Sequence, residues 1–155
     1  MAAGTSCDDS ATTRPTVRDI RWGPHLVSGI PLVDQQHQRI VALAQDIQRL
    51  FGERPGPGLL ADIKALIDYT RYHFVSEEHY IAQVAPEKLE AHAAEHRRLV
   101  GLVEALWEDR QSVTAEVLFD TVADWVLTHI TRDDMAALRP LAASMNLRDS
   151  ATIPS

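Results

Sequence analysis

The sequence predicts an all-α protein, an up-down-up-down four-helix bundle, and three observations carry that prediction. Four segments of about 20 residues or more have apolar residues recurring every three or four positions, the period of a helix with one buried face. The connections between them are short, the first a run of Gly and Pro, so that neighbouring helices are expected to run antiparallel. Five of the seven histidines fall on those apolar stripes, although a buried imidazole needs hydrogen-bond partners or a metal.

Residues 1–18 hold Thr, Ser, Asp and Pro without periodicity and are expected to form a mobile, irregular N-terminal arm. The bundle is expected over 19–138. It opens with a lead-in, Arg21 to Ile30, made irregular by Gly23, Pro24 and Gly29, with Trp22, Leu26, Val27 and Ile30 laid across the bundle end. The first helix should start just after Pro31 and end near Phe51, since Val33, His37, Ile40, Ala44, Ile47 and Phe51 form one stripe. Gly52 to Gly58 must be a loop. The second helix, Leu59 to about Gln83, aligns Leu59, Ile63, Leu66, Thr70, His73, Glu77 and Ile81.

The third begins near Pro86, a residue tolerated in a first turn, with Glu87 well placed for the helix dipole. Its seam is Leu89, His92, His96, Leu99, Val103 and Leu106. The fourth, from about Thr114 to Leu138, aligns Leu118, Val122, Trp125 and His129. Residues 139–155 are small and polar and predict a short frayed C-terminal tail with at most a short extra helix. No internal repeat is present.

At 155 residues the chain fits one domain with a real core. A hydrophobic content of 45% with 24% charged residues is that of an ordinary globular protein. The net charge of −7, with no basic cluster to offset it, argues against nucleic acid as a partner. No apolar run approaches the roughly 20 residues of a membrane span, so no membrane partner is expected. Met1 to Thr16 has no apolar core of a secretory signal. Cys7, the single cysteine, cannot form an internal disulfide and reads as a bystander. A reduced, cytoplasmic location is the expectation.

His73 and Glu77 are four residues apart, as are His92 and His96, so each pair projects from one helix face. Imidazoles and carboxylates aimed into one space suit a transition metal. With His37 and His129 on the other two helices, five imidazoles and Glu77 converge from four rods. Burying so many polar groups without a ligand would be severe against a net stability of roughly 5–15 kcal/mol. His79 is turned away from the seam and His25 sits in the lead-in, so both are expected to be exposed or locally packed. A rival motif is His92-Ala93-Ala94-Glu95-His96, which matches the His-x-x-Glu-His of zinc peptidases. It leaves His37, His73, Glu77 and His129 without a role, and Glu95 points off the seam.

These residues resemble the hemerythrin family, in its bacterial single-domain form (bacteriohemerythrin). The matching elements are Trp22 and Gly29-Ile30 ahead of Asp34-Gln35-Gln36-His37; His73-Phe74-x-x-Glu77-Glu78; His92-x-x-x-His96; and Trp125-x-x-x-His129-Ile130-x-x-x-Asp134. They occur in family order over about residues 20 to 136. Where the family often has Leu-Met after the Glu-Glu pair, this chain has Tyr80 and Ile81.

The resemblance implies two iron ions, cycling between ferrous and ferric, with an oxo or hydroxo bridge. His92, His96 and His129 would hold one iron and His37 and His73 the other, with Glu77 and Asp134 bridging. It implies a protein that binds dioxygen reversibly for storage or delivery, an oxygen carrier rather than an enzyme. The same ligand set would serve an oxygen- or redox-sensing module, a di-iron peroxidase or nitric oxide detoxification. A protein acceptor or signalling partner is not identified by any motif. On a regular helix spacing favours Asp133 over Asp134, because five residues turn a side chain roughly 140°. The family pattern favours Asp134 and therefore a local irregularity such as a π-bulge.

The ligand set itself favours binding over oxidation chemistry. Ferritin-like sites use four Glu and two His from Glu-x-x-His motifs, and no such motif lies on these seams. Two ferrous ions, a hydroxide and two carboxylates would leave about one net positive charge, which stabilises the reduced metal. Phe74, Trp125 and Val126 are the candidates for an apolar oxygen pocket.

Overall fold

Helices form where the apolar period predicts them. The computed structural model describes residues 20–53 and 58–151; the expected arm over 1–18, Cys7, residues 54–57 of the expected loop and the last four residues lie outside that range. α1 spans Pro31–Glu53, α2 Leu59–Val84 and α3 Pro86–Glu108. α4 spans Ala115–His129 and α5 Met135–Ala151. There is no strand among the described residues, and no helix there is long and apolar enough to cross a membrane.

Each boundary has a local cause. Ala85 alone joins α2 to α3; its N–H closes α2 on the Ile81 carbonyl, and Pro86 then opens α3 without needing a donor. Thr114 caps α4, its hydroxyl accepting from the Val117 N–H at 3.2 Å. Short links bring consecutive helices together antiparallel, with α2 against α1 and α3, and α4 against all three.

The fourth rod differs from expectation in two ways. α4 passes through a π-helical turn, Ile130–Asp134, before α5 continues. The backbone stays helical at both junctions, with φ/ψ of −59/−53 at His129 and −63/−39 at Met135, so the molecule remains four rods. The helix also runs to Ala151 rather than fraying after Leu138. Leu138 and Ala142 are buried with Ile30, Val33 and Ile81. That burial offsets the hydrogen bond that Pro140, inside α5, cannot donate.

α5 also fastens the lead-in. Arg139 donates from Nε to the Val27 carbonyl at 3.1 Å and from Nη2 to the Pro24 carbonyl at 2.7 Å. Gly29 takes φ +86, and a Cβ there would meet the Ala142 methyl at 3.0 Å, so a side chain would be both strained and crowded. At the start of α1 the Asp34 carboxylate accepts from the Ser28 N–H, the Ser28 hydroxyl and the Gly29 N–H. Leu26 and Ile30 are buried as expected of the bundle end, and Trp22 is half-buried; Val27 instead faces solvent.

Two apolar clusters fill the bundle. The larger includes Ile40, Ile63, Leu66, Leu99, Leu118, Phe119 and Val122; the smaller is the Ile30, Val33, Ile81, Leu138 and Ala142 group. His37 follows Val33 and precedes Ile40 on α1, and Glu77 and His73 precede Ile81 on α2. A polar layer therefore separates the two cores.

Candidate metal centre

That layer holds all five seam histidines. His37, His73, His92, His96 and His129 are buried, as are Glu77 and Asp134, both at 0% exposure. Their ligand atoms fall into two sets, Glu77, His92, His96, His129 and Asp134 in one, and His37, His73 and Asp134 in the other, each within 4.8 Å. Asp134 belongs to both. Its Oδ1 lies 2.9 Å from His129 Nε2 and 3.3 Å from His92 Nε2, while Oδ2 lies 3.2 Å from His37 Nε2 and 3.5 Å from His73 Nε2. Glu77 Oε2 is 3.1 Å from His92 Nε2, 3.2 Å from His96 Nε2 and 3.9 Å from His73 Nε2.

The π turn is what brings Asp134 inward. A bond from the Met135 N–H to the Ile130 carbonyl, five residues back, widens the helix so that Asp134 falls beneath His129. Asp133, the spacing-based alternative, instead accepts from His129 Nδ1 at 3.1 Å on the outer side.

The outward ring nitrogens explain why the inward ones can coordinate. His37 Nδ1–H donates to the Leu26 carbonyl at 3.2 Å and His73 Nδ1–H to Gln36 Oε1 at 3.0 Å. His96 Nδ1–H donates to Glu78 Oε1 at 2.8 Å, and His129 to Asp133 as above. Carbonyl and carboxylate oxygens only accept, so Nδ1 must carry the proton and Nε2 presents a lone pair to the centre. Gln36 is held in turn by its amide donating to the Ser76 hydroxyl at 2.8 Å.

Lone pairs facing carboxylate oxygens repel unless a proton or a cation lies between them. His73, His96 and His129 Nε2, Glu77 Oε1 and Asp134 Oδ1 are buried without an aligned hydrogen-bond partner. Such orphaned donor atoms fit a metal, whose bonds to imidazole are about 2.1 Å. The ligand atoms of each set all lie within 4.8 Å of one another, near the span of two such bonds. Without metal, protons fill the role. Burial works against charge on His92, yet Asp134 and Glu77 raise its pKa to about 10, and His129 is raised for the same reason by Asp134. Burial would push Glu77 up, but His92 and His96 hold it below the usual range. Asp134, also opposed by burial, is held well below it by His129, His37, His73 and His92.

The apolar candidates divide. Phe74 stacks on His96, ring centroids 3.9 Å apart and 9° from parallel, and meets His129 edge-on at 5.3 Å. With Val126 it lines a small, mainly apolar cavity shared with Leu99 and Val122 and bordered by Thr70 and Arg71. Trp125 is partly buried against the larger core and does not line that cavity. His25 and His79 are exposed, the latter contacting Gln83. Glu95 pairs with Arg98 at 2.9 Å, away from the histidines, so a His-x-x-Glu-His peptidase site is not formed. Sequence reasoning gave no role to Gln36, Glu78 or the Leu26 carbonyl. A signal existed in that Gln36 and Glu78 each adjoin a seam residue.

The family model described as Hemerythrin HHE cation binding domain matches residues 28–140. Bacteriohemerythrin of Methylococcus capsulatus (Bath) is 31% identical over 110 residues, 69% of this chain and 84% of that protein. Bacteriohemerythrins of Pseudomonas aeruginosa (27% over 128 residues, 81% of this chain and 83% of that protein) and Clostridium acetobutylicum (26% over 122 residues, 73% and 94%) are also similar. No solved structure gives a significant match.

Proposed function

The chain belongs to the hemerythrin family, and on that premise we propose that it binds dioxygen reversibly at a non-haem di-iron centre, for oxygen storage or delivery rather than as an enzyme. The observation that carries this reading is the convergence of imidazole Nε2 atoms from four rods on two carboxylates, one of which faces both sets. His92, His96 and His129 would hold one iron, His37 and His73 the other, and Glu77 and Asp134 would span the pair with an oxo or hydroxo group. Such a pair supplies two electrons to dioxygen on binding and recovers them on release.

The chain's own residues set the conditions for that exchange. Two imidazoles against three would leave a position free on the His37/His73 side. Neutral imidazoles outnumber carboxylates five to two, so the surroundings are less negative than a carboxylate-rich shell, and reduced metal is favoured. The Nδ1 bonds hold the rings of His37, His73, His96 and His129 against rotation, which keeps those lone pairs aimed during a change of charge. Phe74 covers the rings of His96 and His129, Val126 lines the apolar side of the same cavity, and Trp125 packs against the larger core.

The test is to load the protein with iron, reduce it without oxygen, admit oxygen and then remove it. Visible absorption should appear with the gas and vanish on its removal over repeated cycles. Irreversible conversion on the first exposure, or sustained oxidation of an added substrate, would overturn the carrier role.

A further inference from the structure

The hydrogen bonds behind the histidines are not alike on the two sides of the centre. Where three imidazoles gather, two of them have carboxylates as outward acceptors, Glu78 for His96 at 2.8 Å and Asp133 for His129 at 3.1 Å, while His92 meets Glu77 through its Nε2. Where two gather, the acceptors are neutral, the Leu26 carbonyl for His37 and the Gln36 amide oxygen for His73. An anionic acceptor pulls harder on the Nδ1 proton and leaves more electron density on Nε2. Both carboxylates reach solvent, with side chains 32% exposed for Glu78 and 23% for Asp133. Asp133 also takes two hydrogen bonds from Arg132, at 3.0 and 3.1 Å, which draw off part of its charge. Glu78 should therefore act more strongly.

Resting on the di-iron reading above, we infer that Glu78 and Asp133 are positioning residues that polarise the pair, so that the iron at His92, His96 and His129 loses the first electron and the iron at His37 and His73 stays ferrous. The same asymmetry keeps a ferrous ion on the side with the free position, and Gln36 is the residue whose neutrality preserves it.

The reduced, iron-saturated protein would be oxidised by one electron with ferricyanide, which becomes ferrocyanide. Nitrogen hyperfine spectroscopy on the histidine-labelled protein then counts the imidazoles on the ferric ion, and three are expected. Glu78→Gln, which keeps an acceptor without charge, should disfavour the first oxidation about tenfold, equivalent to ~59 mV for one electron. Asp133→Asn should shift it in the same direction by less, and Gln36→Glu should ease the second oxidation and narrow the gap between steps. Two imidazoles on the ferric ion, or a first potential that Glu78→Gln leaves in place, would overturn the inference. Failure to hold two irons sinks the di-iron reading and this inference together. The expected shifts in a protein that does not release dioxygen support the inference and sink the carrier role alone.

Discussion

Asp133 and Asp134 are neighbours in the chain, yet they address opposite nitrogens of one imidazole, at 3.1 Å to His129 Nδ1 and 2.9 Å to Nε2. Their replacement should therefore differ in kind. Asp134→Asn removes the charge facing His37, His73, His92 and His129 together, and iron per chain should fall sharply. Asp133→Asn only weakens the orientation of one ring, so iron should still bind, with affinity lower by about 10–100-fold. Iron analysis and competition with a chelator measure both, and equal losses would show that the two carboxylates are equivalent. At this scale the seam histidines and Glu77 were legible because they sit on an apolar period. The outward partners were not, because Gln36 and Glu78 lie beside the stripe, where an apolar period assigns no role, and they entered only as members of the family motifs.

Among the elements, α1 to α3 could be read within a few residues of their ends, since each combines a long stripe with a Pro or Gly boundary. α5 could not. Its composition is small and polar, it contains Pro140, and the partners that bury Leu138 and Ala142 lie far away in the chain, at Ile30, Val33 and Ile81. The π turn was legible only through the conflict between helical spacing and the position of Asp134. The burial of Leu138, at 0% exposure, makes its own prediction. Leu138→Ala should cost about 2–5 kcal/mol, read as a lower denaturant midpoint at unchanged slope. A loss under about 0.5 kcal/mol, the range of ordinary surface substitutions, would mean that α5 is not part of the folded core.

The whole molecule has a buried charge balance that depends on pH. In the metal-free protein the pKa of His92 is raised from 6.5 to about 10. Its contribution to stability is therefore full below about 6.5 and is lost as pH rises through about 10. Glu77 and Asp134, both lowered, contribute above the ordinary carboxylate range and lose that contribution as pH falls through their depressed values. Metal must displace the imidazole protons, so ferrous iron uptake should release protons and tighten as pH rises from about 6 to about 9. A pH-stat titration measures this directly, and uptake with no acid released would rule it out.

The tie between Arg139 and the lead-in bears on how the protein is made. The Leu26 carbonyl that orients His37 belongs to a segment fastened from a residue 112 to 115 positions further along, and Asp134 meets His37 across 97. A growing polypeptide emerging from the ribosome lacks both until Asp134 and Arg139 have been translated. A metal held by the complete constellation would accordingly be captured only after the fourth rod has emerged, and a chain stopped short of it would offer only loose histidines to the cell's metals.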